Sequence, residues 1–159
     1  MARVLIIDPA KCNSCRLCEL ACSQGHANAY RPSRSHVRVA IYPEDAVYFP
    51  VVCMQCDDAP CVAVCPSAAL VRHSRTSAVL VVEERCVGCR MCALACPFGA
   101  ISYWGGKARK CDLCDGEPEC VRFCPPHALR FESEERSTDL ARMVFANRLR
   151  DALKEVSTS

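Results

Sequence analysis

Long apolar runs are missing from this chain of 159 residues. No stretch approaches the roughly 18 consecutive apolar residues that a membrane-spanning helix needs. Met1 to Asp8 carries one arginine and only four aliphatic residues in a row, far short of the apolar region of a secretory leader, and no twin-arginine pair stands there. An excess of one charge is also lacking: 20 Lys and Arg face 18 Asp and Glu, a formal net charge of +2. Aromatics are few and scattered, with five Phe, four Tyr and one Trp. A nucleic-acid module would want a basic stripe interleaved with aromatics. These absences set the expectation of a cytoplasmic protein with no direct membrane span and no nucleic-acid partner. A folded subunit exported on a partner that carries the leader is the exception to that expectation.

Cysteine is abundant: sixteen residues, about one in ten. Such density means a disulfide scaffold or a metal protein. With no leader, the expectation is a reducing compartment in which thiols bind metal rather than each other. The length fits one compact domain or two intimately fused small ones.

The cysteines fall into four runs. Cys86, Cys89, Cys92 and Cys96, followed by Pro97, read C-x2-C-x2-C-x3-C-P, the spacing that holds a cubane iron–sulfur cluster. Three thiolates two residues apart can wrap one tight loop around three irons. The fourth points away from the loop and ligates the other cluster of a two-cluster unit. Cys12, Cys15, Cys18 and Cys22 repeat the pattern with Ser23 in place of proline. Cys53, Cys56, Cys61 and Cys65 carry a four-residue middle gap before Pro66; Cys111, Cys114, Cys120 and Cys124 carry a five-residue gap before Pro125. Sixteen divides by four with none left over, so four [4Fe-4S] clusters account for every cysteine. If each oxidised cluster with its thiolates carries roughly −2, the loaded protein is acidic, and the basic residues read as counter-charge to buried anions.

Zinc is the competing metal, and a structural or nucleic-acid-binding zinc module is the corresponding alternative. Four-cysteine zinc sites pair two C-x2-C knuckles across a longer loop. Here three cysteines fall within seven residues twice, which favours iron. No histidine ligand is needed, so His26, His36, His73 and His127 read as ordinary surface or packing residues. His127, beside Cys124, is the one placed to donate a hydrogen bond near a cluster.

Between the motifs the pattern predicts short elements, an α+β chain. Val4 to Asp8 reads as a strand before Pro9, and Leu17 to His26 as a short helix carrying Cys22. The insertion from Asn28 to Pro50 alternates Val37, Val39 and Ile41 with His36, Arg38 and Ala40, a half-buried strand. Tyr48 to Val52 predicts a second strand. Arg31, Arg34 and Arg38 form a basic cluster, either a solvated or counter-charge face or a docking surface. Ala69 to Val82 predicts two strands around His73 to Ser77. Three motifs continue as C-P-x-x-A-[LI], at Cys65 to Leu70, Cys96 to Ile101 and Cys124 to Leu129. That repeat predicts a turn at proline, then a buried aliphatic residue opening a strand. Ser137 to Val156 predicts an amphipathic helix capped by Ser137, Thr138 or Asp139, with Leu140, Val144, Phe145, Leu149, Leu153 and Val156 as its apolar side. It is either packed on the cluster core or an arm for a partner or another copy. Ser157 to Ser159 are expected to fray.

Motifs two and three, joined by one hairpin from Pro66 to Arg85, have the layout of a self-contained two-cluster ferredoxin. Motifs one and four then pair around the outside. With exchange of the fourth cysteine, the expected sets are Cys12, Cys15, Cys18 with Cys124; Cys22 with Cys111, Cys114, Cys120; Cys53, Cys56, Cys61 with Cys96; and Cys65 with Cys86, Cys89, Cys92. Sequential pairing, one with two and three with four, is the alternative. The nested reading divides the chain into an outer unit (1–27 and 97–132), an insertion (28–52), an inner unit (53–96) and a helical tail (133–159).

Val52-Cys53-Met54-Gln55-Cys56-Asp57-Asp58-Ala59-Pro60-Cys61 and Lys110-Cys111-Asp112-Leu113-Cys114 resemble hallmark segments of the four-cluster electron-transfer subunits of molybdenum and tungsten pterin oxidoreductases. Dimethyl sulfoxide reductase, formate dehydrogenase and the tungsten aldehyde and benzoyl-CoA type enzymes are examples; related subunits serve hydrogenases and carbon monoxide dehydrogenase. The resemblance covers about Val4 to Phe131 and implies nested pairing, tandem two-cluster ferredoxin folds and a catalytic oxidoreductase partner. The chain lacks the long insertions and hydrophobic C-terminal anchor of membrane-linked relatives, which implies a soluble complex. The function expected is a non-catalytic electron relay between that partner and a second redox subunit or carrier. A free polyferredoxin is the alternative, and self-association into a chain through the tail is a further expectation.

Overall fold

The computed structural model describes residues 3–157. Among them, eight short strands and five helices make an α+β fold. The strands are β1 (Arg3–Ile7), β2 (Arg38–Tyr42), β3 (Val47–Val51), β4 (Leu70–Arg72), β5 (Val79–Val81), β6 (Ile101–Trp104), β7 (Lys107–Lys110) and β8 (Leu129–Ser133). The helices are α1 (Leu17–Ala27), α2 (Pro60–Ala63), α3 (Met91–Ala95), α4 (Glu119–Arg122) and α5 (Glu134–Ser157). The strands pair two by two into antiparallel ribbons: β1 with β8, β2 with β3, β4 with β5, β6 with β7.

The first ribbon joins the two ends of the cysteine-bearing chain. Ile7 faces Leu129 and Arg3 faces Ser133, which sets motif one beside the end of motif four. Helices α1 and α4 pack together in the same region, and α2 packs on α3. Buried side chains accordingly form two cores. One holds Cys18, Cys22, Cys111, Cys120 and Cys124 with Val37, Val52, Leu113, Leu129 and Phe131. The other holds Cys61, Cys86 and Cys92 with Leu70, Val79 and Ile101.

The C-P-x-x-A-[LI] repeat acts as expected. Leu70, Ile101 and Leu129 each open a strand and are buried. In each copy the residue before the alanine is left-handed: Ala68, Gly99 and His127 at φ of 49°, 59° and 53°. Its N–H returns to the motif's fourth cysteine carbonyl, at 3.2, 3.3 and 3.0 Å. Proline presets the turn, and the helix before it stops after four or five residues. Motif one has Ser23 instead, whose N–H permits continuation, and α1 runs eleven residues through Cys22. The Ser23 hydroxyl donates to the Leu20 carbonyl at 3.0 Å and accepts from the Arg31 N–H at 3.1 Å.

The insertion is a hairpin, β2 on β3. The buried Glu19 holds it to α1, accepting from the Val39 N–H at 2.8 Å and from the Arg16 guanidinium at 2.6 and 2.8 Å. Arg34 of the basic cluster lies 5.0 Å over the Trp104 ring, a cation–π contact that ties the insertion to β6.

The tail is helical but starts three residues before the expected first residue. Its cap is the Ser133 hydroxyl, which accepts from the Arg136 N–H at 3.4 Å. Ser137, Thr138 and Asp139 lie inside the helix, where the Thr138 hydroxyl donates back to the Glu134 carbonyl at 3.1 Å. Phe145 and Leu149 are exposed, together with Met143, so these positions are not packed on the core. The side chains of Leu140, Val144, Leu153 and Val156 lie outside the described residues, as do Thr158 and Ser159; Ser157 is the last residue of α5.

Gly88, in motif three, is required by geometry. Its φ is +72°, and a Cβ there would collide with the Gly106 carbonyl of the β6–β7 turn. Gly88→Ala is therefore expected to destabilise the iron-loaded protein by about 2–4 kcal/mol, combining left-handed strain with overpacking. A thermal melt checks it, with Gly99→Ala as control, since a Cβ at Gly99 meets nothing within 4 Å.

Candidate metal centres

Each motif folds its first C-x2-C loop in the same way. The residue before the second cysteine is left-handed in all four: Ser14, Gln55, Gly88 and Leu113, at φ of 61°, 51°, 72° and 62°. Only one of these is glycine. The shared conformation is imposed by the loop rather than by a turn-forming residue, which explains why sequence patterns do not reveal it.

All sixteen cysteines are free of disulfides. A pocket is lined by Cys53, Cys56, Cys61 and Cys96, with Gln55 and Lys110 in its wall. The Cys18 thiol feels the charge of Cys124 and Cys15, and Cys120 that of Cys111, Cys22, Cys114 and Cys18. Cys61 feels Cys53 and Cys96. The Tyr103 hydroxyl, 3.0 Å from Cys92 Sγ, feels Cys92, Cys86 and Cys89. Cys12 packs against the first core, and Cys65 and Cys96 against the second.

Burial pushes the Cys18 and Cys111 thiols up to about 12 and Cys114 to about 11. Cys22, Cys61 and Cys120 move the same way, again through burial first. Cys65 is lowered: burial opposes the shift, but the backbone N–H groups of Ala69, Ser67 and Leu70 and the hydrogen bond with the Ser67 hydroxyl outweigh it. A buried thiolate is costly without a cation, and iron supplies one. An all-sulfur donor set of sixteen cysteines, eight of them buried and several served by N–H donors, fits iron–sulfur clusters. Those donors are the N–H groups of His36 on Cys22 Sγ at 3.2 Å, Ala69 on Cys65 Sγ at 3.3 Å and Ala108 on Cys86 Sγ at 3.5 Å. Hydrogen bonds to cluster sulfurs are one of the levers on potential.

The sign of the pH dependence follows. A thiol raised above its ordinary value of 9 favours the metal-free fold at low pH, and that contribution fades as pH climbs through about 11 to 12. Iron needs the thiolate, so binding releases protons. Loading is expected to tighten about tenfold per pH unit for each proton released. Anaerobic reconstitution at pH 7 and 8.5 checks this, with more iron bound at the higher pH.

The histidines differ from the sequence expectation. The His26 Nε2 lies 3.5 Å from Cys114 Sγ and 3.5 Å from Asp112 Oδ1, and its ring sits 4.4 Å from that of His36. Burial, then His26, lowers His36 to about 4, so its ring is neutral at pH 7. His26 and His36 therefore adjoin the Cys22 and Cys114 thiols, while His127 is exposed and its ring makes no hydrogen bond among the described residues. The physical reason is reach: α1 carries His26 to a loop 88 residues away.

Residues 44–134 match the family model described as "4Fe-4S dicluster domain", and residues 9–25 match a "4Fe-4S binding domain". The first match spans more than half of the chain. The chain belongs to the 4Fe-4S dicluster domain family. Full-length relatives agree with that assignment. A Pyrococcus furiosus protein named "aliphatic sulfonate oxidoreductase, polyferredoxin-like subunit" is 38% identical, over 89% of this chain and 92% of its own. Escherichia coli "electron transport protein HydN" is 36% identical, covering 81% and 87%, and "hydrogenase-4 component A" is 34% identical, covering 82% of each. A chain of the BamBC active-site complex of benzoyl-coenzyme A reductase aligns over 99% of this chain and 98% of its own, with 23% identity and a TM-score of 0.49. As a 4Fe-4S dicluster protein the chain is an iron–sulfur protein. No helix among the described residues is long and apolar enough to cross a membrane.

Proposed function

We propose that this 4Fe-4S dicluster protein holds four [4Fe-4S] clusters and serves as a non-catalytic relay subunit. It passes single electrons between a catalytic oxidoreductase subunit and a second redox partner. The observation that carries the reading is the donor set: sixteen free thiols, eight of them buried in two cores that draw on motifs far apart in the chain. When bound, the clusters supply one-electron chemistry, and the protein supplies spacing, burial and hydrogen bonds that set potentials.

The ligand sets of this reading are Cys12, Cys15, Cys18 and Cys124; Cys22, Cys111, Cys114 and Cys120; Cys53, Cys56, Cys61 and Cys96; Cys65, Cys86, Cys89 and Cys92. The nearness of Cys124 to Cys18, of Cys22 to Cys120 and of Cys96 to Cys61, felt as charge at each of those thiols, supports it. So does the pocket shared by Cys53, Cys56, Cys61 and Cys96. The matching division is an outer unit of residues 1–27 and 97–132 around an inner unit of 53–96, with the hairpin 28–52 and the tail 133–159 appended. Pairing of β1 with β8 and packing of α1 on α4 and α2 on α3 support that division.

A molybdenum or tungsten pterin enzyme, tungsten aldehyde oxidoreductase-like among them, is the catalytic partner the reading favours. The subunit names of the Pyrococcus and hydrogenase-4 relatives support membership of an oxidoreductase complex. Exposed Met143, Phe145 and Leu149 on α5 favour a subunit over a free polyferredoxin, and the same helix is the arm through which copies would join end to end. Sixteen free thiols suit the cytoplasm.

Anaerobic isolation of the tagged chain from its native cell tests the proposal. The expected result is co-isolation with a larger oxidoreductase whose substrate reduces the clusters of this chain. A lone monomer that no co-isolated enzyme reduces would contradict it. Light scattering with and without α5 decides self-association: growth that needs α5 supports it, and a fixed small complex dismisses it.

A further inference from the structure

Lys110 closes β7 and precedes Cys111 of the fourth motif. Only 4% of it is exposed. Its ammonium donates to the Val79 carbonyl, to the Cys111 carbonyl at 2.8 Å and to Gln55 Oε1 at 3.3 Å. Three acceptors match its three protons, so the group is held in place. All three are neutral, and among the described residues no carboxylate pairs with it. The buried Glu19, by contrast, has Arg16 against it. An interior cation without an opposing charge is strongly disfavoured, so something anionic has to answer Lys110.

Its surroundings say what that is. The side chain lines the pocket of Cys53, Cys56, Cys61 and Cys96, and one of its acceptors is the carbonyl of Cys111, in the first core. Another acceptor, Val79, belongs to the second core. Gln55 braces the junction, donating to the Cys111 carbonyl at 2.8 Å and accepting from the Val79 N–H at 2.9 Å. Lys110 thus stands where the two cores meet.

We propose that Lys110 is a fixed positive charge between two cluster sites, that of Cys53, Cys56, Cys61 and Cys96 and that of Cys22, Cys111, Cys114 and Cys120, and that it raises the reduction potential of both. The inference rests on the four-cluster reading. Reduction adds one negative charge to a cluster, so a nearby cation stabilises the reduced form. Acting on both sites, it favours an electron resting on either cluster over the fully oxidised pair.

Anaerobic potentiometric titration of the iron-loaded protein, followed by EPR, tests this. In Lys110→Met, two of the four reduction waves are expected to fall by about tenfold in equilibrium constant, 59 mV for one electron, while the other two move less than about threefold. The shift is expected to persist at high salt, because buried charges escape screening. Lys110→Arg is expected to hold all four waves near wild type. Four unmoved waves, four waves moving together, or an arginine variant shifting as far as methionine would each overturn the proposal. Should Lys110→Met bind less iron, Lys110→Gln and Lys110→Arg decide: loss in both neutral variants with retention in arginine supports the charge role. Loss in all three overturns it in favour of packing. A wild-type protein without labile sulfide would overturn the cluster reading and this inference together; unmoved waves in a four-cluster variant overturn this inference alone.

Discussion

Stripping the iron from this chain is expected to abolish its tertiary structure. Among the described residues the buried apolar set holds eight cysteines and four alanines, leaving eight side chains of valine size or larger. They are split between two cores. Ribbons of two strands and helices of four or five residues do not persist in water without a core to pack on. The thiols that fill the interior do so around metal. Where no site exists in the unfolded chain, metal-binding energy is folding energy, on the order of 10 kcal/mol for a structural site. The iron-loaded protein is expected to melt cooperatively with a strong near-ultraviolet circular dichroism signal. After anaerobic chelation both features are expected to disappear. A stripped chain that still melts cooperatively within a few degrees of the loaded one would refute this.

The second large effect is expected from a pair of ligand replacements. In the nested arrangement Cys15 and Cys124 serve one cluster, although 109 positions separate them in the sequence. Cys15→Ser and Cys124→Ser are each expected to damage that cluster, and the double variant is expected to lose no more than either, about four irons per chain. Cys114→Ser combined with Cys124→Ser touches two clusters and is expected to cost about eight. Under sequential pairing, or with four cysteines of one motif kept together, the Cys15 and Cys124 losses would add. Iron analysis and the number of remaining reduction waves read the difference. The packing that motivates the experiment is visible in α1 on α4 and β1 on β8, which carry motif one to motif four.

Much of this architecture is legible in the sequence because its causes are local. Cysteine spacing, the proline after the fourth cysteine and the aliphatic residue opening each strand all act within a few residues. The strands at Val4, Val39, Leu70 and Val79 and the helix at Leu17 follow from patterns of that range. The departure at Ser23 is legible too, and its consequence is continuation of α1 through Cys22. What escapes the sequence depends on distant partners. His26 earns no special notice on α1, yet it meets Asp112 and Cys114 across the fold. Lys110 reads as one cation among 20 until its burial is known. The α5 cap belongs to Ser133, the last residue of β8, because the strand runs straight into the helix, and no composition break marks that junction. Phe145 and Leu149 keep helical spacing, but periodicity does not say whether a stripe faces its own core or another molecule.

The most direct test of the relay is a stepwise reductive titration of anaerobically isolated protein, with iron and acid-labile sulfide measured on the same sample. Four [4Fe-4S] clusters predict roughly 16 irons, as many sulfides, and uptake of about four electrons per chain in separate one-electron waves. A colourless protein, one that carries zinc in place of iron and sulfide, or one whose metal takes up no electrons would contradict the account.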